Sequence, residues 1–304
     1  MTGKSSDGSA SSRLRAEGLT LAYDDSVVAR DLGVTVPDGS FTVIVGPNAC
    51  GKSTLLKALA RMLKPSTGTV YLDGQAITSY RSREVARRLG LLPQSSIAPS
   101  GITVGDLVAR GRYPHQKLLR QWSSEDEAVV VEAMSRTGVA DLADRLVDEL
   151  SGGQRQRVWL AMVLAQQTPI LLLDEPTTFL DIAHQIEVLE LCADLNADSG
   201  HTLVAVLHDL NQACRYATNL IVLAPGGRIA AQGDPSEIVT AELIADVFGL
   251  PCRIMDDPET GTPMIVPAAR RRSSPKNSKD SNDEKDEKDS EDHGAVAVHE
   301  HAPL

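Results

Sequence analysis

The sequence predicts an α/β fold with an antiparallel β layer near its start and a mostly helical middle. Three observations carry this. Short apolar runs rich in β-branched residues alternate with segments of helical periodicity, the pattern of parallel strands joined by helices. The N-terminal part instead holds close-spaced strands separated by turn signals. Residues Val104 to Leu164 read as mostly helical, with charged faces.

In chain order, Leu19 to Tyr23, Val34 to Val36, Phe41 to Val45 and Thr69 to Leu72 read as strands of the antiparallel layer, punctuated by Pro37-Asp38-Gly39 and Asp73-Gly74. Phe41 to Val45, Ile170 to Leu173, Thr202 to Leu207 and Leu220 to Leu223 read as strands of the α/β core. Helical periodicity follows at Ser53 to Leu63, Ile182 to Asp194 and Asn211 to Tyr216. No internal repeat is evident.

A chain of 304 residues fits one or two domains and buries a core without disulfides or metals. Its 30 Lys and Arg against 41 Asp and Glu give a net charge of −11, and aromatics make up 3%. An acidic, aromatic-poor chain argues against a nucleic-acid binder. Nothing approaches the roughly eighteen consecutive apolar residues of a membrane span. Met1 to Ser12 lacks the apolar stretch of a secretory signal, so a cytoplasmic protein is expected. Cys50, Cys192, Cys214 and Cys252 show no zinc spacing and read as reduced thiols.

Residues 1–13 read as a flexible leader and residues 268–304 as a disordered tail. From Arg270 the tail holds seven Lys/Arg and nine Asp/Glu with few apolar groups, leaving −9 on the body. His299 and His301 sit one residue apart there and fit a solvated terminus better than a chelate.

Gly46-Pro47-Asn48-Ala49-Cys50-Gly51-Lys52-Ser53 fits G-x-x-x-x-G-K-[ST], the P-loop pattern, between a strand and a helix starting near Lys52. Its glycines let the backbone curl so that amide N–H groups face one anion, and the helix N-terminus adds partial positive charge. Lys52 supplies a charge for the β- and γ-phosphates, and Ser53 a hydroxyl for Mg²⁺. Ile170 to Leu173 then forms a buried strand ending in Asp174-Glu175-Pro176. Taken alone, that fits a turn with solvated acids. Beside a P-loop it places Asp174 to hold Mg²⁺ and Glu175 to orient or deprotonate water.

Between them lies Leu150-Ser151-Gly152-Gly153-Gln154, followed by Arg155-Gln156-Arg157. The ordered set resembles the ATP-binding cassette (ABC) ATPases, over about Leu14 to Pro267. That implies an ABC-type P-loop NTPase core at 14–267, with an antiparallel β subdomain and a helical subdomain at about 95–160. It also implies residue roles. Tyr23 would stack on adenine; Gly46, Pro47, Asn48, Ala49, Cys50, Gly51, Lys52, Ser53 and Thr54 would hold ATP. Gln94 would touch Mg²⁺ and the catalytic water, Asp181 would form the D-loop, and His208 would sense the γ-phosphate. Ser151, Gly152, Gly153 and Gln154 would complete the ATP site of a second copy, which implies a homodimer closing on ATP. Ala49 stands where the family usually has Gly, and is tolerable only if the backbone angle suits an L-residue. Cys50 lies in a positive loop that would lower its pKa and make it alkylatable, with ATP protecting it, but a small residue that simply fits the loop is the better reading for physiology.

The gap of 98 residues from Ser53 to Ser151 is too short for the coiled coil of the DNA-repair type. With one cassette and no fused membrane stretch in this sequence, neither the two-cassette translation type nor the fused exporter type is expected. The segments around Leu107 to His115, Trp159 to Gln166, Thr177 to Ile182, His208 to Tyr216 and Gly261 to Pro267 resemble the ATPases of ferric-siderophore importers, especially the ferric-enterobactin type. That implies a Mg²⁺-dependent ATPase on the cytoplasmic face of the membrane, beneath a separate permease fed by an extracytoplasmic siderophore-binding protein. Heme and cobalamin importers are the nearest rivals, and a regulatory nucleotide-binding module without transport is the other class.

Overall fold

A computed structural model describes residues 12–23, 26–95, 97–116, 122–178 and 180–269. The chain divides into one unit over Met1–Ala268 and another over Ala269–Leu304, of which only Ala269 is described. The tail from Arg270, with His299 and His301, and the leader through Ser11 lie outside the described residues, as does Phe179.

The strands are β1 (Leu14–Tyr23), β2 (Ser26–Val36), β3 (Phe41–Val45), β4 (Thr67–Leu72), β5 (Gln75–Ala76), β6 (Leu89–Leu92), β7 (Ile170–Asp174), β8 (Thr202–Val206), β9 (Asn219–Ala224), β10 (Arg228–Gly233), β11 (Cys252–Asp256) and β12 (Pro263–Pro267). The helices are α1 (Lys52–Leu59), α2 (Ser82–Val85), α3 (Val104–Ala109), α4 (Ser124–Arg136), α5 (Gly152–Ala165), α6 (Ile182–Ser199), α7 (Leu210–Tyr216), α8 (Pro235–Ile238) and α9 (Ala241–Phe248).

Six strands form the central sheet, in the order β10-β9-β3-β8-β7-β6. β9, β3, β8, β7 and β6 run parallel, and β10 closes one edge antiparallel. Every residue of β3, β7, β8 and β9 is buried, which is why they read as unbroken apolar runs. Their side chains still alternate. Val43, Val45, Leu171 and Leu173 join the core shared with α3 to α6, whereas Ile44, Ile170 and Leu172 join the core under β1, β2, β4 and α1. One sheet thus holds two cores, one on each face.

The antiparallel layer is β2-β1-β4-β5. β3, expected in that layer as well as in the core, belongs to the parallel sheet alone. Its uniform burial explains this, because a layer with one wet face alternates, as β1 does. The first helix stops at Leu59 rather than Leu63. Arg61 takes a left-handed φ of 60°, and the Met62 and Leu63 amides turn back to the Lys57 carbonyl. Ser12 and Arg13, expected in the leader, are tied down: Ser12 Oγ donates to Val36 O at 2.9 Å, and Arg13 pairs with Asp73 at 2.5 Å.

Parallel register levels the strand ends. Ile44 and Asp174 both pair with Val206, and Leu92 with Leu173. The residues that follow β3, β6, β7 and β8 therefore emerge along one edge of the sheet. Gly46, Gln94, Glu175 and His208 are four of them, and a crevice past the carboxyl ends of parallel strands is where such folds bind ligands.

Candidate functional site

The loop from Gly46 to Gly51 wraps the N-terminus of α1. A Cβ at Gly46 would lie 2.5 Å from the Leu223 carbonyl oxygen and 2.6 Å from Cys50 Sγ, so only glycine fits there. Gly51 caps the helix at φ 100°. Ala49 sits at φ 60°, the left-handed region that costs an L-residue about 1–2 kcal/mol. The small Cβ is thus accommodated under strain, which supplies a physical reason for glycine at this position.

Lys52 is buried, and its Nζ donates to the Gly46 and Pro47 carbonyls at 2.9 Å each. The ammonium is held inside the loop, facing the ring of backbone that a phosphate would enter. Cys50 is 3% exposed, and burial pushes its thiol pKa up against the opposing charge of Lys52. Desolvation outweighs the nearby cation, which favours a small residue that fits the loop over a reactive thiolate.

Ser53 Oγ donates to Asp174 Oδ1 at 2.7 Å, joining the end of the loop to the end of β7. Asp174 is 1% exposed, and its Oδ2 is buried without a hydrogen-bond partner. Burial pushes the Asp174 carboxyl pKa up and Glu175 adds to this, while Ser53, Lys57 and His208 oppose it. An orphaned carboxylate oxygen beside a hydroxyl is a hard oxygen set that suits Mg²⁺. Among the described residues no group of three or more His, Cys, Asp or Glu could hold a metal alone. A cation here would complete its shell with water and nucleotide oxygens, as Mg²⁺ does.

Glu175 follows at φ 54°, another left-handed position. Its Oε1 lies 2.7 Å from His208 Nε2, and its Oε2 accepts from Thr178 Oγ1 at 3.1 Å. Burial pushes the Glu175 pKa up, but hydrogen bonds from His208, Gln94 and Thr178 and the His208 charge carry it below the ordinary value. Gln156, in α5, donates to the Pro176 carbonyl at 3.1 Å and steadies this turn. A strained backbone at a carboxylate held by three side chains is the kind of feature found at reactive sites.

A cavity of about 530 Å³ gathers Asn48, Ala49, Gly51, Lys52, Ser53, Thr54, Gln94, Glu175 and His208, with Val28 from β2. A larger cavity, about 720 Å³, lies along α4 and the 167–169 turn and holds none of the expected residues. The smaller one carries the cation, the helix N-terminus and the Glu175 carboxylate, with Asp174 bonded to its lining residue Ser53, so its chemistry fits a metal-bound polyphosphate.

Several expected residues lie elsewhere. Tyr23 is 45% exposed at the end of β1 and is not among those lining the cavity. Ser151 caps α5 in a reciprocal box with Gln154: the Gln154 N–H donates to Ser151 Oγ at 3.2 Å, and the Ser151 N–H to Gln154 Oε1 at 3.1 Å. Ser151 and Gly152 are exposed and line no part of the cavity. Asp181 caps α6, accepting from the His184 N–H at 3.0 Å, also on the surface. Sequence reasoning missed Val28, Thr178 as a partner of Glu175, and Lys57 as a charge near Asp174. Thr178, three residues past Glu175 in the same turn, left a local signal; Val28 left none.

The family described as ABC transporter matches residues 29–178. The ferric enterobactin transport ATP-binding protein FepC of Escherichia coli (strain K12) is 60% identical over 266 residues, 88% of this chain and 98% of that protein. The probable siderophore transport system ATP-binding protein YusV of Bacillus subtilis (strain 168) is 51% identical over 86% of this chain and 94% of that protein. Among solved structures, a dimeric post-hydrolysis state of the ATP-binding cassette MJ0796 bound to ADP and Pi superposes with a TM-score of 0.65 at 27% identity. It covers 73% of this chain and 98% of that one. With the phosphate loop, the Ser53–Asp174 pair and the Glu175–His208 pair on one sheet edge, the chain belongs to the ABC transporter ATP-binding family and is an ATP-hydrolysing subunit.

Proposed function

We propose that this chain powers import of iron(III)-siderophore complexes through a separate membrane permease, hydrolysing ATP between two copies of itself. Identity of 60% to a ferric enterobactin transport ATP-binding protein, over nearly the whole of that protein, carries the substrate class. Likeness to siderophore transport ATP-binding proteins supports a permease made of other chains, with this subunit at the cytoplasmic membrane face; among the described residues no helix is long and apolar enough to cross a membrane. An extracytoplasmic siderophore-binding protein feeds the permease.

The residues divide the work as follows. The backbone N–H groups of the loop from Asn48 to Thr54 and Lys52 Nζ bind the β- and γ-phosphates, the ammonium exchanging its loop carbonyls for phosphate oxygens. Ser53, Asp174 and Gln94 would hold Mg²⁺, which would supply charge neutralisation at the phosphate oxygens. Glu175 orients the attacking water and accepts its proton. His208 and Thr178 fix the two carboxylate oxygens, so Glu175 meets the water ionised and oriented. Tyr23 packs on adenine. Ser151, Gly152 and Gly153 present a hydroxyl and a helix N-terminus to the ATP of the second copy, and Gln154 locks that cap. Asp181 lies at the same interface. This explains why the signature residues are exposed and away from their own cavity.

Uptake of iron-loaded siderophores by cells lacking this protein tests the reading. Wild type is expected to restore uptake and Lys52→Ala not to. Unchanged uptake in the deletion strain would remove the substrate assignment and point the same assay at heme and cobalamin.

A further inference from the structure

His208 does its proposed work with an imidazole whose side chain is 50% exposed, so packing does not hold it. Its position is inherited from the backbone on either side. Before it, β8 is fixed in the sheet. After it, Asp209 caps α7, accepting from the Gln212 N–H at 2.9 Å. α7 is seven residues long and too short to hold itself in place.

Ala213 and Cys214 bury its inner face in the core, and two side chains tie its first turn. Asn211 reaches 54 residues along the chain to β12: the Ile265 N–H donates to Asn211 Oδ1 at 2.7 Å, and Asn211 Nδ2 donates to the Ile265 carbonyl at 3.4 Å. Ile265 is 5% exposed within the core, so the anchor is firm. On the other side, Gln212 Nε2 donates to Gln185 Oε1 at 3.1 Å, and Gln185 Nε2 to the Leu180 carbonyl at 3.0 Å, beside Asp181. Helix α7 is thus strung between the β11–β12 hairpin and the turn before α6, with His208 just ahead of it.

We propose that Asn211 is a positioning residue for His208, and that the C-terminal hairpin is part of the hydrolytic machinery through it. The inference rests on the proposed role of His208. Releasing Asn211 lets the first turn of α7 move and carries His208 off Glu175. None of these bonds involves the loop from Gly46 to Thr54, so nucleotide binding is expected to be untouched. A loss confined to turnover is therefore the mark of the tie.

The test is steady-state ATP hydrolysis by the purified full chain, comparing wild type, Asn211→Leu, Asn211→Asp and His208→Ala. Asn211→Leu is close in volume and loses both bonds; it is expected to lower kcat about tenfold, with KM for ATP within twofold. Asn211→Asp keeps the acceptor of the short bond and is expected to retain at least half of wild-type kcat. Should the Leu variant fail to fold by circular dichroism, Asn211→Ser, too short to reach Ile265, carries the same expectation. Wild-type kcat in the variant lacking both bonds, a rise in KM at constant kcat, or equal losses in the Leu and Asp variants would overturn the inference. Full activity in His208→Ala would overturn the underlying role of His208 as well. An inactive His208→Ala beside a fully active Asn211→Leu would overturn the Asn211 tie alone.

Discussion

His208 Nε2 and Glu175 Oε1 lie 2.7 Å apart, across the ends of two parallel strands. The pair decides the ionisation of the buried carboxylate. Burial alone would raise the Glu175 pKa; the bonds from His208, Gln94 and Thr178 reverse the sign and carry it below the ordinary 4.5. A carboxylate with a lowered folded pKa contributes stability that is present above its unfolded value and lost as pH falls through the folded one. His208→Ala removes the largest causes that oppose burial, leaving only the bonds from Gln94 and Thr178. The acid limb of the kcat–pH profile is then expected to move upward, and a pH titration of turnover in wild type and variant checks it. An unmoved limb would disconnect the pair from catalysis.

Ala49 stores backbone strain in the phosphate loop at φ 60°. Ala49→Gly is expected to stabilise the protein by about 1 kcal/mol, a rise in Tm of about 2 °C for a chain of this size, with ATP affinity within twofold. Thermal melting reads the outcome. A lower Tm would mean that the loop is not strained there.

Burial pushes the thiol pKa up at both Cys50 and Cys252, but Cys50 is buried whereas Cys252 is only partly covered. Maleimide labelling of the native protein near pH 7.5 is expected to reach Cys252 before Cys50. Cys50 should react at a slow rate that ATP changes little, and quickly only in denaturant. Fast native labelling blocked by ATP would restore the reactive-thiolate expectation. Peptide mapping by mass spectrometry distinguishes the cases.

Arg112 is buried where the turn after α3 meets α4 and α5. Its Nε lies 2.9 Å from Asp126 Oδ1, and its Nη1 donates to the Ala165 carbonyl at 2.9 Å and to Gln167 Oε1 at 2.8 Å. Removing one partner of a buried ion pair strands the other, so Arg112→Ala is expected to cost about 3–5 kcal/mol in denaturant unfolding. Replacing both partners, Arg112→Met with Asp126→Leu, is expected to recover most of that loss. A loss below about 1 kcal/mol in the single variant would show that the pair is solvated.

The legible parts of the fold were those with local signals. β3, β7, β8 and β9 announce themselves as unbroken apolar runs, because both of their faces are covered. β6, Leu-Gly-Leu-Leu, is too short and too rich in leucine to declare a strand. β10 is alanine-rich and half-buried on the sheet edge, and β11 and β12 are short strands stabilised by α7 and α9. The phosphate loop and Asp174-Glu175 were readable because each is one contiguous segment following a strand. His208 was readable only by resemblance, since its meaning lies in a contact 33 positions back along the chain. The weight of burial at Cys50 is not readable for a related reason: the charge of Lys52 is written two residues away, and the burial of the thiol beside Gly46 is not.

The most direct test of the account is ATP turnover by the purified protein with Glu175→Gln, followed alongside its association state by analytical ultracentrifugation. The account predicts that the variant binds Mg²⁺-ATP, loses kcat by about 10²–10⁴-fold and accumulates as a dimer, while wild type turns over and returns to monomer. Wild-type turnover in Glu175→Gln would contradict it.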